Sequence, residues 1–382
     1  MSSALEREDE GDIGMNLGFI GCGIISEAHL RGLAELKDAG GPAFAVPAVC
    51  DLRHEMAAAF ARRVKETLGQ EPNVYTDYRE MLEKERLEAV SVLVTHDLHH
   101  SVAEDCFAAG AHVQMQKPLA ISPSFGRKMI EDAKRYGKVL TLSEPSVLGA
   151  ANVAVSRAVR GGLIGNVYLV LDYAASAVGS GFFAGTPWRH MKGRAGAGWI
   201  NDHGVHRTHS FLDVVGPVEE VFAYAAIFEK VRSHGGVTIR PTGEDAAVTA
   251  FRFANGALGH WMCATAIHGE ETWGVRFYGS QGCLVPGKHA ALGDGTVVTM
   301  AEIVEQYASG VIADPFAHSY LELYEAVKSG KPPISSAESG LEALGIVFAA
   351  LESATTGEPV RVQDVITGAK HAYEDTVIEE MA

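Results

Sequence analysis

A short apolar run, Leu17-Gly18-Phe19-Ile20, breaks into Gly21-Cys22-Gly23 and continues as a helix-like pattern from Ile24. A strand that turns this tightly into a helix leaves backbone N–H groups unpaired at the positive end of the helix dipole, a natural seat for phosphate. Gly21 permits the turn, and Gly23 lets a pyrophosphate approach the backbone. The third position of such a fingerprint is usually Gly or Ala; Ser26 is still small. A second apolar run, residues 44–50, ends in Asp51. An acidic side chain there accepts hydrogen bonds from adenine-ribose hydroxyls and repels a 2′-phosphate. The pattern predicts NAD in preference to NADP, with Arg53 nearby as the one residue placed to accept a phosphate.

The rest of the chain supports a two-domain reading. Its length of 382 residues suits two domains. From Met15 onward, strands are expected at 17–20, 45–50, 74–75, 89–94, 112–115 and 139–142. Helices are expected between them at 24–37, 53–68, 78–84, 99–109 and 122–136. Such alternation builds a doubly wound parallel sheet, the Rossmann architecture, whose ligands bind at the strands' carboxyl ends. After Glu144-Pro145 the texture changes to one helix, 152–160, and then strand-like alternation at 167–173, 218–228, 246–253, 256–264, 273–279 and 282–285 with 297–300. These predict a mostly antiparallel open sheet, with helices at 317–329 and 339–355. The expected organisation is a disordered tail over 1–14, an NAD-binding domain over 15–144, and a substrate-binding and oligomerisation domain over 145–382. The Gly-rich stretch 174–198 reads as a long loop, a common form for a lid or substrate-binding segment.

Charge and cysteine content narrow the partners. A formal net charge of −16 argues against a nucleic-acid surface. No segment approaches the run of about 18 apolar residues that a membrane span requires. The first twelve residues are acidic and polar, without the basic start or apolar core of a signal peptide. Five cysteines without a C-x-x-C pair suit reduced thiols in a cytoplasmic protein. Cys22 reads as a small residue that fits the turn.

Two motifs carry candidate chemistry. Lys117, in Gln116-Lys117-Pro118, follows a strand and so lies where cofactor and substrate should meet. A lysine there donates to a reacting hydroxyl and stabilises a developing alkoxide. The second motif is Trp199-Ile200-Asn201-Asp202-His203-Gly204-Val205-His206-Arg207-Thr208-His209. On a helix, Asp202 and His206 share a face, so the carboxylate can orient an imidazole base. Asp202 is equally suited to cap the helix. The histidines invite a metal reading, but His203 and His209 do not both share the Asp202–His206 face, and no metal is expected.

These motifs resemble the Gfo/Idh/MocA family (glucose–fructose oxidoreductase, inositol dehydrogenase, rhizopine catabolism). Its G-x-G-x-I-x-x-x-H is matched by Gly21, Gly23, Ile25 and His29. Its T-P-N-x-x-H is matched in part by Thr95 to His100, its A-G-K-H-V by Ala109 to Val113, and its E-K-P by Gln116-Lys117-Pro118. Its D-x-G-x-H is matched by Asp202, Gly204 and His206. The resemblance implies a nicotinamide-dependent oxidoreductase acting on a secondary alcohol of a sugar, polyol or derivative. In it Lys117, Asp202 and His206 would be catalytic: His206 accepts the hydroxyl proton, Lys117 polarises the oxygen and Asp202 orients the pair. Cofactor contacts would include Gly21, Gly23, Ile24, Ile25, Asp51, Arg53, Thr95, His100, Gln116 and Lys117. The second domain would form a homodimer or homotetramer through its sheet.

Several positions depart from the family pattern. Gln116 stands for the family glutamate, His96 and Asp97 for the proline and asparagine, and His209 for an aspartate. Glu144 occupies a position expected to face substrate, together with Trp188, Arg189, Arg194, Asn201, His203 and His209. The locally basic loop 188–194 suggests a contact to an anionic substrate group. Two further readings are open: an NAD-dependent glycosidase that oxidises, eliminates and rereduces, and a non-catalytic dinucleotide sensor on the same fold.

Overall fold

The computed structural model describes residues 14–176 and 185–382. The expected tail, but for Gly14, and the middle of the Gly-rich stretch lie outside them.

Six parallel strands form the first sheet: β1 Met15–Ile20, β2 Phe44–Cys50, β3 Asn73–Tyr75, β4 Ala89–Val92, β5 His112–Gln116 and β6 Leu140–Ser143. Their order is β3-β2-β1-β4-β5-β6, that of the doubly wound dinucleotide fold, with its switch point between β1 and β4. Helices α1 Ile24–Asp38, α2 His54–Leu68, α3 Tyr78–Lys84, α4 His99–Ala108 and α5 Pro123–Tyr136 connect them. The strands are covered on both faces and so carry apolar runs, with Leu17, Phe19, Val90 and Val92 fully buried. At Gly21, φ is 97° and a Cβ would lie 2.4 Å from the Leu93 carbonyl oxygen, so only glycine makes this turn.

Beyond helix α6, Ala150–Arg160, a nine-stranded sheet begins with β7 Val167–Ala175 and β8 Val218–Ala226. A two-stranded ribbon follows, β9 Arg232–His234 and β10 Val237–Ile239. The sheet then continues with β11 Ala246–Phe253, β12 Leu258–Ala264, β13 Thr272–Gly279, β14 Gly282–Val285, β15 His289–Leu292 and β16 Val297–Thr299, and β17 Val360–Arg361 completes it beside β8. β7 and β12 pair in parallel; the other pairings are antiparallel. The sequence paired 282–285 with 297–300, but β15 lies between them, because His289-Ala290-Ala291-Leu292 lacks the β-branched and aromatic residues that mark a strand.

Helix α7, Trp199–Val214, lies on this sheet so closely that a Cβ on Gly204 would sit 2.6 Å from the Trp261 ring. The opposite face is open, with Tyr224, Val248 and Leu258 exposed on adjacent strands beside the paired Arg252 and Glu220. Helix α8, Met300–Ala308, precedes α9, Pro315–Ser329, which turns back to the first sheet. There Ala317, Tyr320 and Leu323 share a core with Leu17, Phe19 and Leu33. Helix α10, Ala337–Thr356, packs beside α7. Helical turns at Pro187–His190 and Lys192–Ala195 occupy part of the expected loop.

Candidate active site

The end of β5 and the first turns of α7 face each other across a cleft of about 370 Å³ between the two sheets. Lys117 leaves β5 here, and the Lys117–Pro118 peptide is cis. Its Nζ donates to the Asp202 carbonyl at 2.8 Å and to Asp202 Oδ1 at 3.1 Å. Arg189 Nε donates to the same oxygen at 3.1 Å, and its guanidinium lies 4.5 Å over the Trp188 ring. Burial works to raise the Asp202 carboxyl, but Lys117 and Arg189 outweigh it and hold the group well below the usual carboxylate range. His96 also faces this carboxylate, at 3.9 Å.

His206 has a separate partner. Its Nδ1 lies 2.5 Å from Glu144 Oε1, just past β6. Glu144 is fully buried and also accepts the Ser146 N–H at 2.9 Å. Burial raises its carboxyl, yet the charge and hydrogen bond of His206 bring it down to about 2. Ser146 Oγ donates to the His206 carbonyl at 2.8 Å, tying the two segments together. Nδ1–H pointing at Glu144 leaves Nε2 as the atom that can take a proton.

An aromatic wall completes the cleft. Trp199 and His203 stack with centroids 5.4 Å apart and planes 3° from parallel. Burial, then Arg207, holds the His203 ring down to about 3, so it is neutral. Flat apolar faces of this kind suit the C–H face of a sugar ring.

At the other end, Gly23 caps α1 with no side-chain hydrogen bond, and a Cβ there would meet nothing within 4 Å. That open helix terminus fits a pyrophosphate. Ile24 and Leu52 are exposed beside it. Asp51 accepts the Cys22 N–H at 2.9 Å and the Arg53 N–H at 3.0 Å, which fixes its carboxylate at the end of β2 with lone pairs to spare for ribose hydroxyls. The Arg53 side chain pairs with Asp51 at 3.9 Å and is otherwise exposed.

The structure brings Ile25, Gln116, Lys117, Trp188, Arg189, Asp202, His203 and His206 to the cleft. It places other named residues elsewhere. His100 stacks on Phe125, between α4 and α5, and does not line the cleft, whereas His96 does. Asn201 is buried and donates to the Ala195 carbonyl at 2.8 Å, a structural tie. His209 lies one turn past His206 and points to Ser339 Oγ at 3.0 Å, lining a different cavity. Glu144 is fully buried against His206 and does not line the cleft. Arg194 sits on the rim, paired with Asp97 at 2.8 Å and donating to Thr95 Oγ1 at 3.3 Å. Asp202 Oδ1 is bonded by Lys117 and Arg189, while the Nδ1 of His206 meets Glu144 instead. The sequence reading missed His96, whose place in the family's T-P-N segment was the signal available for it. Among the described residues, no group of three or more His, Cys, Asp or Glu could hold a metal ion.

Two family models match the chain. Residues 15–144 match the GFO_IDH_MocA oxidoreductase family, described as an NAD-binding Rossmann fold, and residues 153–285 match a GFO/IDH/MocA C-terminal domain. The chain is 28% identical over 362 residues to a myo-inositol 2-dehydrogenase of Thermotoga maritima, covering 92% of this chain and 100% of that one. It is 26% identical over 294 residues to a levoglucosan dehydrogenase of Pseudarthrobacter phenanthrenivorans, covering 71% and 73%. A levoglucosan dehydrogenase solved with NADH and L-sorbose shares the fold with a TM-score of 0.81 at 22% identity, covering 93% of this chain and 100% of that one.

Proposed function

The chain belongs to the Gfo/Idh/MocA family of oxidoreductases, and on that premise we propose that it oxidises a secondary alcohol of a sugar, polyol or sugar derivative with NAD. The observation that carries this reading is the convergence of Lys117 and His206 on one cleft, each held by its own buried carboxylate. The relatives named as inositol and levoglucosan dehydrogenases point to the same substrate class.

His206 Nε2 takes the hydroxyl proton, and Glu144 holds the resulting imidazolium. Lys117 donates to the substrate oxygen and stabilises its developing negative charge. Asp202 keeps Lys117 extended into the cleft, and Arg189 keeps Asp202 ionised. Trp199 and His203 present a flat face that orients the ring. Bound NAD supplies the hydride acceptor. Gly21, Gly23 and Ile24 would cradle its pyrophosphate, and Asp51 its adenine ribose. With Arg189 committed to Asp202 and Trp188, and Arg194 to Asp97, the basic loop serves the site's architecture in place of an anionic substrate group.

We place the protein in the cytoplasm, a reading supported by five free cysteines. No described helix is long and apolar enough to cross a membrane. The open face bearing Tyr224, Val248 and Leu258 supports assembly into a homodimer or homotetramer through the second sheet.

The test incubates purified protein with NAD and a panel of sugars, inositols and glycosides, reading NADH formation and aglycone release together. Stoichiometric NADH without bond cleavage is expected. Cleavage without net NADH would replace the dehydrogenase reading with an oxidative glycosidase.

A further inference from the structure

β5 lies inside a parallel sheet, where strands normally read as apolar runs. Yet Gln114 and Gln116 share one of its faces and both are buried. Buried amides persist only with their hydrogen bonds made, and these two belong to one chain of them.

The direction of that chain is fixed at one end. The Lys117 backbone N–H, which can only donate, points at Gln116 Oε1 at 2.7 Å. The amide nitrogen therefore faces His29 Nε2, 3.2 Å away. An amide nitrogen also only donates, so His29 Nε2 is the acceptor and the ring carries its proton on Nδ1. Nδ1 then donates to the Tyr320 oxygen at 2.9 Å. The Tyr320 proton is left for Ser91 Oγ at 3.0 Å. Ser91 in turn donates to Gln114 Oε1 at 3.0 Å, and Gln114 Nε2 donates to Ser319 Oγ at 3.0 Å. The chain runs from β5 through α1, α9 and β4, returns to β5 at Gln114 and ends on α9, and every member is buried. Burial brings the His29 imidazole down to about 3, in keeping with a neutral ring.

Gln116 has a second amide hydrogen, with no partner among the described residues, and its side chain forms part of the cleft wall beside Lys117. We propose that Gln116 is a cofactor-positioning residue: the one-way chain holds its amide so that a fixed, uncharged N–H donor faces the nicotinamide end of the cleft, and the lack of charge there sets the balance between oxidised and reduced cofactor. The proposal rests on the dinucleotide reading above. The oxidised ring is cationic and the reduced ring neutral. A carboxylate at position 116 would attract only the first. It would also accept from both neighbours, so His29 would have to donate from Nε2, and every link but that of the Lys117 N–H would reverse.

Dissociation constants for NAD+ and NADH are measured at pH 8 for the wild type and Gln116→Glu. The ratio of the NAD+ to the NADH constant is expected to fall about tenfold in the variant, equivalent to about 1.4 kcal/mol. An unchanged ratio overturns the proposal. The chain itself is read without any cofactor and without relying on that variant to fold. In wild-type protein carrying 15N-histidine, with the His29 signal assigned by its loss in His29→Gln, the Nδ1–H tautomer is expected. An Nε2–H or cationic ring overturns the proposal. Wild type that binds neither NAD+ nor NADH would instead remove the dinucleotide reading.

Discussion

At Glu144, replacement by Gln keeps the volume and an acceptor oxygen for His206 Nδ1–H but removes the charge that steadies the imidazolium. Glu144→Gln should lower kcat by at least about tenfold with KM little changed, because a base partner acts on the transition state more than on ground-state binding. Steady-state kinetics on the best substrate of the panel check this, and a variant with wild-type kcat would return Glu144 to a structural role. The arginines of the basic loop should separate in the same assay. Arg194 is half exposed and tied only to rim groups, so Arg194→Ala should change kcat/KM by no more than about fivefold, the worth of a surface ion pair. Arg189→Ala exposes Asp202 to loss of its second cation and should cost far more. The sequence singled out Lys117, Asp202 and His206, which the structure brings to one cleft, but it paired Asp202 with His206 where the contacts pair Asp202 with Lys117 and His206 with Glu144. Helical spacing put Asp202 and His206 on one face, and nothing in the chain order shows that Lys117 reaches Asp202 from β5 or that Glu144, beyond β6, meets Nδ1. Partner choice across a cleft is a long-range fact that local periodicity does not carry.

Helix α7 shows how one element sets the site. Its approach to β12 depends on Gly204, whose added Cβ would meet the buried Trp261 ring at 2.6 Å and Val347 Cγ2 at 3.1 Å. Neither neighbour has room to give, so Gly204→Ala should cost about 1–3 kcal/mol by overpacking. It should also displace Asp202 and His206, which flank it on the helix. Thermal melts together with kcat check this; an unchanged Tm with full activity would show that the contact relaxes freely. A fitting control is α8, far from the chemistry, where Thr299 and Glu302 form a capping box. Thr299→Ala should cost about 1 kcal/mol and leave kcat alone. That capping box is legible as Thr-x-x-Glu before an apolar run, yet the expected strand ends at residue 300 and the next expected helix begins only at 317. By contrast, α1 to α5 and the strands between them were legible almost residue by residue, because a doubly wound sheet repeats one simple alternation. The β9–β10 ribbon was not, since its short strands present no sustained period.

The two sheets are joined by more than the polypeptide between them, because α9 leaves the second sheet and completes the core of the first. On α9, Glu322 is largely buried and accepts N–H bonds from Ile334 at 2.7 Å and Ser335 at 3.3 Å. Ser335 also receives the Leu142 N–H at 3.0 Å, and Ser336 bridges to Thr141, so this corner links α9 to edge strand β6. Burial pushes the Glu322 carboxyl up to about 7, against the pull of those two N–H groups. A raised folded-state value means that the folded protein holds a proton the unfolded chain has already released. Glu322 therefore contributes its stability fully below the ordinary glutamate range near 4.5 and loses it as pH rises to and through about 7. Above that, an ionised carboxylate sits in the joint between the two sheets. Thermal stability of the wild type should carry a component that declines from about pH 5 to pH 8. Glu322→Gln, which cannot ionise, should lack that component and gain on the wild type as pH rises, whatever constant difference the swap introduces. Melting curves of both proteins across this range decide the matter: parallel pH profiles would mean that Glu322 titrates near its ordinary value and that the joint does not respond to pH.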